Sequence, residues 1–140
     1  MIKRIDISEI DTVLSVLKQD SIRGYNGLFA ETERPWISHF ITDGDNCFAF
    51  GLYENEELIS VLLSEKLSFN GSILWYIATK ESQQGLGYGS KLLEHFENEL
   101  REIGIEWIFL NATDSSLAFY NKRNYITSEF SKVYEHVKDL

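Results

Sequence analysis

The stretch from residue 72 to residue 104 constrains this chain more than any other. Ser72-Ile73-Leu74-Trp75-Tyr76-Ile77-Ala78-Thr79 reads as a strand, and a polar turn carries it into Gln83-Gln84-Gly85-Leu86-Gly87-Tyr88-Gly89-Ser90. A long amphipathic helix follows and ends near Gly104. Glycine at every second position lets the backbone approach a ligand closely, because no Cβ stands in the way. A helix that starts among those glycines aims unpaired N–H groups and the positive end of its dipole at whatever lies there. Strand, glycine loop and helix N-terminus together make an anion site suited to phosphate. The plain alternative is a tight strand-to-helix turn that binds nothing.

Two features favour the ligand. Gln84, Gly87 and Gly89 have the spacing Q-x-x-G-x-G, and Tyr120 lies downstream in Phe119-Tyr120-Asn121-Lys122-Arg123-Asn124-Tyr125. On these residues the sequence resembles the GNAT superfamily of acetyl-CoA-dependent N-acetyltransferases. The motifs fall within residues 72–125, and the order of elements extends the likeness over most of the chain. The resemblance implies a GNAT-like acyl-CoA acyltransferase fold, mixed α/β with a largely antiparallel sheet flanked by helices. It implies that Gln84, Gly85, Leu86, Gly87, Tyr88, Gly89 and Ser90 hold the pyrophosphate of acetyl-CoA through backbone N–H groups. It also implies that the pantetheine arm runs beside Tyr76, Ile77, Ala78 and Thr79, with the N–H near Ile77 polarising the thioester carbonyl. Tyr120 then becomes the acid that protonates the departing thiolate. A tyrosine pKa of about 10 keeps it protonated at neutral pH, as that role needs. The other reading of Tyr120 is an amphipathic core tyrosine on a short helix.

The chain departs from the family pattern in places. Asn124 stands where glycine usually follows the tyrosine helix, and asparagine is the best other residue for a left-handed helix end. Thr113 stands seven residues before Tyr120, where many members have an asparagine that contacts the pantetheine, and Lys80 replaces a frequent proline. Where some relatives carry a glutamate twelve residues before the tyrosine, this chain has Ile108. Glu65 and Glu81 are the nearest carboxylates to serve as base, and neither is assigned. Other phosphate motifs fit less well. A Walker loop needs Gly-Lys-Ser/Thr, and Gly89-Ser90-Lys91 has the wrong order. A dinucleotide fingerprint matches Gly85 and Gly87 but meets Ser90 at its third glycine.

The 140 residues suit one domain spanning 1–140, and a hydrophobic fraction of 44% is that of a folded globule. A net charge of −9 argues against an extended nucleic-acid or anionic-membrane surface and is compatible with a cationic amine. The single cysteine, Cys47, cannot form an internal disulfide, and its apolar surroundings suggest a buried structural thiol. No metal is expected, because His39, His95 and His136 are far apart and lack Cys or His neighbours at ligand spacing. No signal-peptide core or membrane-length apolar stretch stands out, so the expectation is a cytoplasmic protein.

Taken in order, Met1–Ile7 suggests a first strand and Ser8 a cap for a helix with Ile10, Val13, Leu14 and Leu17 on one face. Residues 19–34 read as a loop or broken helix, and Pro35 opens a second helix bearing Trp36, Ile37, Phe40 and Ile41. By the family analogy Tyr25, Phe29 and Trp36 are candidates for acceptor contact. The plain alternative is that they pack as core. Cys47–Tyr53 and Leu58–Phe69 read as strands, with Asn70-Gly71 a strong hairpin signal before Ser72–Thr79. The helix after the glycine loop places Leu92, Leu93, Phe96, Leu100 and Ile103 on one face and Glu94, Glu97, Asn98 and Arg101 mostly on the other. Trp107–Leu110 reads as a buried strand parallel to its predecessor, and Asp114 or Ser115 caps a short helix through Lys122. Tyr125–Phe130 and Lys132–Val137 close the chain as strands.

The reading with most support is direct acetyl transfer from acetyl-CoA to a primary amine of a small molecule or peptide. The partner is neither nucleic acid nor membrane, and the protein is a monomer or homodimer. No compelling nucleophile is present for a covalent intermediate. A non-catalytic acyl-CoA-binding or sensing module on the same fold would keep the glycine loop without needing Tyr120. A small interaction domain with an empty glycine turn is the third reading.

Overall fold

The computed structural model describes residues 1–19, 33–112, 116–127 and 136–140. Two tight turns set the centre of its sheet. Asn55 and Glu56, with φ of 50° and 65°, join β2 (Cys47–Glu54) to β3 (Glu57–Leu67). Asn70, with φ of 57°, leads from β3 into β4 (Gly71–Thr79). Both turns use the left-handed backbone that matches the twist of the strands they connect. The expected hairpin is present but shifted: Leu67 pairs with Gly71, so the loop is 68–70 and Gly71 already belongs to β4.

Around this centre the remaining strands assemble in the order β1-β2-β3-β4-β5-β7-β6. Here β1 is Ile2–Arg4, β5 Trp107–Leu110, β6 Ile126–Thr127 and β7 His136–Asp139. Only β4 and β5 run parallel, and the other neighbours are antiparallel. The structure is therefore the mixed, largely antiparallel α/β fold that the element order predicts. The turn between the closing strands lies outside the described residues.

Helices cover both faces, so β2 and β3 are buried on both sides and read as nearly continuous apolar runs. On one face α1 (Ile10–Gln19) and α2 (Arg34–Thr42) pack over Cys47, Ala49, Val61 and Leu63. On the other, α3 (Tyr88–Glu102) packs over Phe48, Phe50 and Leu62. Pro35 sits in the first turn of α2, as expected. The short α4 (Leu117–Asn121) follows β5. The residues expected to cap it, Asp114 and Ser115, lie outside the described residues.

Several local expectations are corrected. The first helical segment is capped by Asp6, not Ser8. Asp6 Oδ2 accepts the Ser8 N–H at 2.9 Å, and Glu9 Oε1 accepts the Asp6 N–H at 3.3 Å, a capping box two residues earlier. Strand β1 accordingly stops at Arg4. On α3, Leu92, Leu93, Phe96 and Leu100 are buried as expected, but Ile103 is 52% exposed beyond the helix end, where Gly104 takes φ of +83°. Glu97, assigned to the open face, is only 7% exposed. It accepts the Tyr125 hydroxyl at 2.9 Å and pairs with Lys138 Nζ at 2.8 Å.

The β3–β4 ladder is irregular at one point. Leu63 faces Tyr76 and Ser64 faces Leu74, so Trp75 is an extra residue on β4. This β-bulge sends Trp75 and Tyr76 toward the same helix, with Trp36 of α2 contacting both.

Candidate functional site

The glycine loop has the geometry that a close-approach site requires. Gly85 and Gly87 have φ of +80° and +86°, and nothing lies within 4 Å of where a Cβ would stand on either. Gly87 is the N-terminal boundary residue of α3, and among the described residues no side chain caps that end. The helix therefore starts with backbone N–H groups open to solvent along Tyr88, Gly89 and Ser90. Leu86 is exposed, and Gln84 turns inward to donate its Nε2 to the Thr79 carbonyl at 3.1 Å. That bond fixes the loop to the end of β4.

β4 supplies the second wall. Its parallel pairing with β5 covers only Gly71, Ser72 and Ile73. Beyond Ile73, among the described residues, its β5 side has no strand partner, so Tyr76, Ile77, Ala78 and Thr79 pair as a strand with β3, and the Thr79 carbonyl also takes the Gln84 amide. The bulge at Trp75 turns Ile77 into the core under α3 and leaves Tyr76 and Ala78 on the α2 side. Ser60 on β3 anchors the strand end, donating to the Ala78 carbonyl at 2.9 Å with its oxygen 2.9 Å from Thr79 Oγ1. Tyr76 is half-buried and its oxygen accepts the Trp36 indole N–H at 3.1 Å. Burial raises its pKa, and the Glu33 carboxylate adds to the rise.

The third wall is α4. The ring of Phe119 comes 3.8 Å from the Cβ position of Gly89, and Thr79 Oγ1 lies 3.9 Å from it. α3, α4 and the end of β4 thus meet around Gly89 at ordinary van der Waals distance. Tyr120, the acid implied by the resemblance, is 1% exposed and stacks edge-on against Phe119 and Tyr125 at 5.0 and 5.6 Å between centroids. The turn after it closes through Asn124 at φ of 68°, so asparagine does take the left-handed position expected of it.

One contributor was not singled out in the sequence. Arg123 donates Nη1 to the Phe119 carbonyl at 2.7 Å, stacks over the Phe119 ring at 3.9 Å, and bonds Ser90 Oγ. A guanidinium therefore stands at the first turn of α3, adding positive charge where the helix dipole is positive already. Its signal was an arginine three residues after Tyr120, which no spacing rule marks. Of the residues suggested for acceptor contact, Trp36 lies against Tyr76 and Trp75, while Tyr25 and Phe29 lie outside the described residues. Glu65 accepts the Trp75 indole N–H at 2.9 Å, and Glu81 is exposed. Cys47 is buried, and burial together with the Asp43 and Glu65 carboxylates pushes its thiol up to about 11. It is thus a protonated core residue at neutral pH. Among the described residues no helix is long and apolar enough to cross a membrane.

Comparison with known proteins bears on this geometry. The profile of the acetyltransferase (GNAT) family matches residues 11–125. No curated protein sequence matches the chain. Among solved structures, the PaiA N-acetyltransferase from Thermoplasma acidophilum in complex with coenzyme A superposes with a TM-score of 0.80 at 16% identity, covering 100% of this chain and 98% of that one. An aminoglycoside 6′-N-acetyltransferase complexed with coenzyme A gives 0.81 at 13% identity, covering 99% and 96%. The ribosomal-protein-S18-alanine N-acetyltransferase from Escherichia coli gives 0.75 at 16% identity, covering 99% and 89%. At these identities the likeness is one of fold.

Proposed function

We propose, from the premise that this chain belongs to the acetyltransferase (GNAT) family, that it moves an acetyl group from acetyl-CoA directly to a primary amine of a small molecule or peptide. The observation that carries this reading is the uncapped N-terminus of α3, framed by Gly85 and Gly87 in left-handed conformation with open space before them. Backbone donors that can be approached without a Cβ suit a pyrophosphate, and a side chain at either glycine would stand in the open space beside them. When bound, acetyl-CoA supplies the thioester carbonyl that an amine attacks and the thiolate that leaves.

The chain's own residues would divide the remaining work. Gln84, Gly85, Leu86, Gly87, Tyr88, Gly89 and Ser90 hold the pyrophosphate through backbone N–H groups, with Gln84 keeping the loop against Thr79. The β5-side edge of Tyr76–Thr79 orients the pantetheine arm and polarises the carbonyl through backbone N–H near Ile77. Tyr120 Oη donates the proton that the leaving sulfur needs. No base is assigned, since an amine can lose its proton to water. Trp36, Trp75 and Tyr76 form an aromatic cluster beside β4, and Trp36 is the acceptor-side contact among them. The protein works in the cytoplasm as a monomer or homodimer, with neither nucleic acid nor membrane as partner.

A second reading, a non-catalytic acyl-CoA-binding module, is favoured by one observation. Tyr120 is 1% exposed, and a core tyrosine need not do chemistry. Thermal unfolding with acetyl-CoA and CoA, run beside Gly87→Glu, tests the binding site shared by both readings. Ligand at ~100 times its dissociation constant adds about 2.7 kcal/mol. Wild type should shift and Gly87→Glu should not. No shift in wild type at millimolar ligand removes both readings. Release of free thiol from acetyl-CoA over a panel of amines then separates them, since a sensing module releases none.

A further inference from the structure

The last turn of α2 and the start of β2 bring together three side chains that the acetyl-transfer reading does not use. His39, Asp43 and Cys47 follow one another at intervals of four residues. The Asp43 N–H donates to the His39 carbonyl at 3.0 Å, and the Cys47 N–H donates to the Asp43 carbonyl at 2.8 Å. Two successive bonds of this kind fix the three Cα positions on one side of the chain reversal. As a result an imidazole nitrogen, a carboxylate oxygen and the thiol sulfur all lie within 4.8 Å of one another.

A single ion with bonds of about 2.0–2.3 Å to nitrogen, oxygen and sulfur spaces tetrahedral ligands about 3.3–3.8 Å apart, so side-chain movements on the order of 1 Å close this set. His39 is exposed, Asp43 partly buried and Cys47 buried, so the donors step inward from solvent and an ion can enter past the first two. Asn46 Nδ2 donates to both Asp43 carboxylate oxygens at 3.3 Å, and the His39 ring stacks on Trp36 at 6.1 Å between centroids. Hydrogen bonds like those from Asn46 orient metal ligands elsewhere. Glu65, which faces Cys47 across the β2–β3 ladder, adds a further negative charge. Arg4 donates to the Cys47 carbonyl at 3.2 Å and its charge opposes a cation, but Asp43, Glu65 and a Cys47 thiolate outnumber it.

We propose that His39, Asp43 and Cys47 bind one borderline transition-metal dication of the Zn²⁺ class, with water in the fourth position. The donor set decides the class, because thiolate and imidazole disfavour Mg²⁺ and Ca²⁺ and suit zinc. On binding, the Cys47 S–H bond breaks, its electron pair goes to the metal and its proton to solvent, while His39 binds as the neutral ring. No electron is transferred. The ion ties the end of α2 to β2, and α2 carries Trp36.

Co²⁺ titration of the metal-stripped, reduced full chain tests this. Wild type should show the near-ultraviolet thiolate-to-cobalt charge-transfer band and the intense visible bands of a four-coordinate ion. Both should saturate at one ion per chain and be displaced by Zn²⁺. Cys47 is the only cysteine, so Cys47→Ser should lose the charge-transfer band entirely. His39→Ala removes an exposed side chain and so leaves the fold intact, and it should weaken Co²⁺ binding by at least about tenfold. Absence of the charge-transfer band in wild type at saturating Co²⁺ overturns the proposal, and so does unchanged affinity in His39→Ala. The stabilisation by acetyl-CoA should persist in His39→Ala, which separates this site from the glycine-loop site.

Discussion

Helix α3 carries two polar arrangements of opposite kind. At its N-terminus, Gly85 and Gly87 leave backbone donors uncapped and facing solvent. Further along, Glu97 is shut inside, its carboxylate taken by the Tyr125 hydroxyl and the Lys138 ammonium. The first arrangement is unsatisfied without a partner from outside. The second is complete, and it fastens the C-terminal part of the chain to the helix. A polar group left open invites a ligand, whereas the same chemistry closed on itself holds a fold. Between them sits α4, with Phe119 against the open end at Gly89 and Tyr120 stacked on Tyr125 toward the closed one.

The sharpest way to break the contrast is Glu97→Ala. It leaves the buried Tyr125 hydroxyl and the partly buried Lys138 ammonium without their acceptor and should cost about 3 kcal/mol by chemical denaturation. Loss under about 1 kcal/mol would mean that the network is no firmer than a surface pair. Tyr120→Phe comes next. If the hydroxyl serves as acid, turnover should fall by roughly 100-fold, about 2.7 kcal/mol of barrier, with cofactor affinity nearly unchanged. Equal rates in the two proteins would move Tyr120 to the closed, structural side. Gly87→Ala should cost about 1–2 kcal/mol of stability, because an L-residue is strained at that φ even with free space around it. A neutral result would show that the loop relaxes without its glycine.

The smallest effect concerns pH. Burial, then the Glu97 charge and its hydrogen bond, hold the Tyr125 proton well above its usual pKa of 10.0. Tyr53 is raised in the same direction by burial and by Glu9. Above about pH 10 the unfolded chain gives up these protons and the folded chain keeps them. Stability should therefore be intact below pH 10 and decline as pH rises past it. Denaturation midpoints taken on either side of pH 10 check the sign, and Tyr53→Phe should flatten part of the slope.

The parts of the molecule governed by local rules were legible in the sequence. The β3–β4 hairpin follows from Asn70-Gly71, α3 from its period and its glycines, and the Asn124 turn from the tolerance of asparagine for positive φ. What stayed hidden depends on partners distant in sequence. Nothing in the period of α3 reveals that Glu97 meets Tyr125, 28 residues away, and Lys138, 41 residues away. Arg123 reaches Ser90 across 33 residues, and that contact arises only because α4 folds back over the start of α3. His39, Asp43 and Cys47 are near in sequence, yet a helix end and a strand start meet there, so no single period places them together. The capping error at Ser8 is of another sort, since Asp6 and Ser8 are both good caps and Glu9, three residues after Asp6, completes the reciprocal box there.

The bulge at Trp75 acts as a change of parity. A strand assigns its side chains to the two faces by odd and even count, and one surplus residue exchanges the two classes for everything after it. Counted from Leu74, Tyr76 would have gone under α3 and Ile77 under α2, and the bulge reverses both. Thr79 consequently comes to stand against Gly89 at the mouth of the glycine loop. Deleting Trp75 would restore strict alternation and keep Tyr76, Ile77 and Ala78 on their present sides. What the surplus residue adds is a second aromatic ring on the side of Trp36.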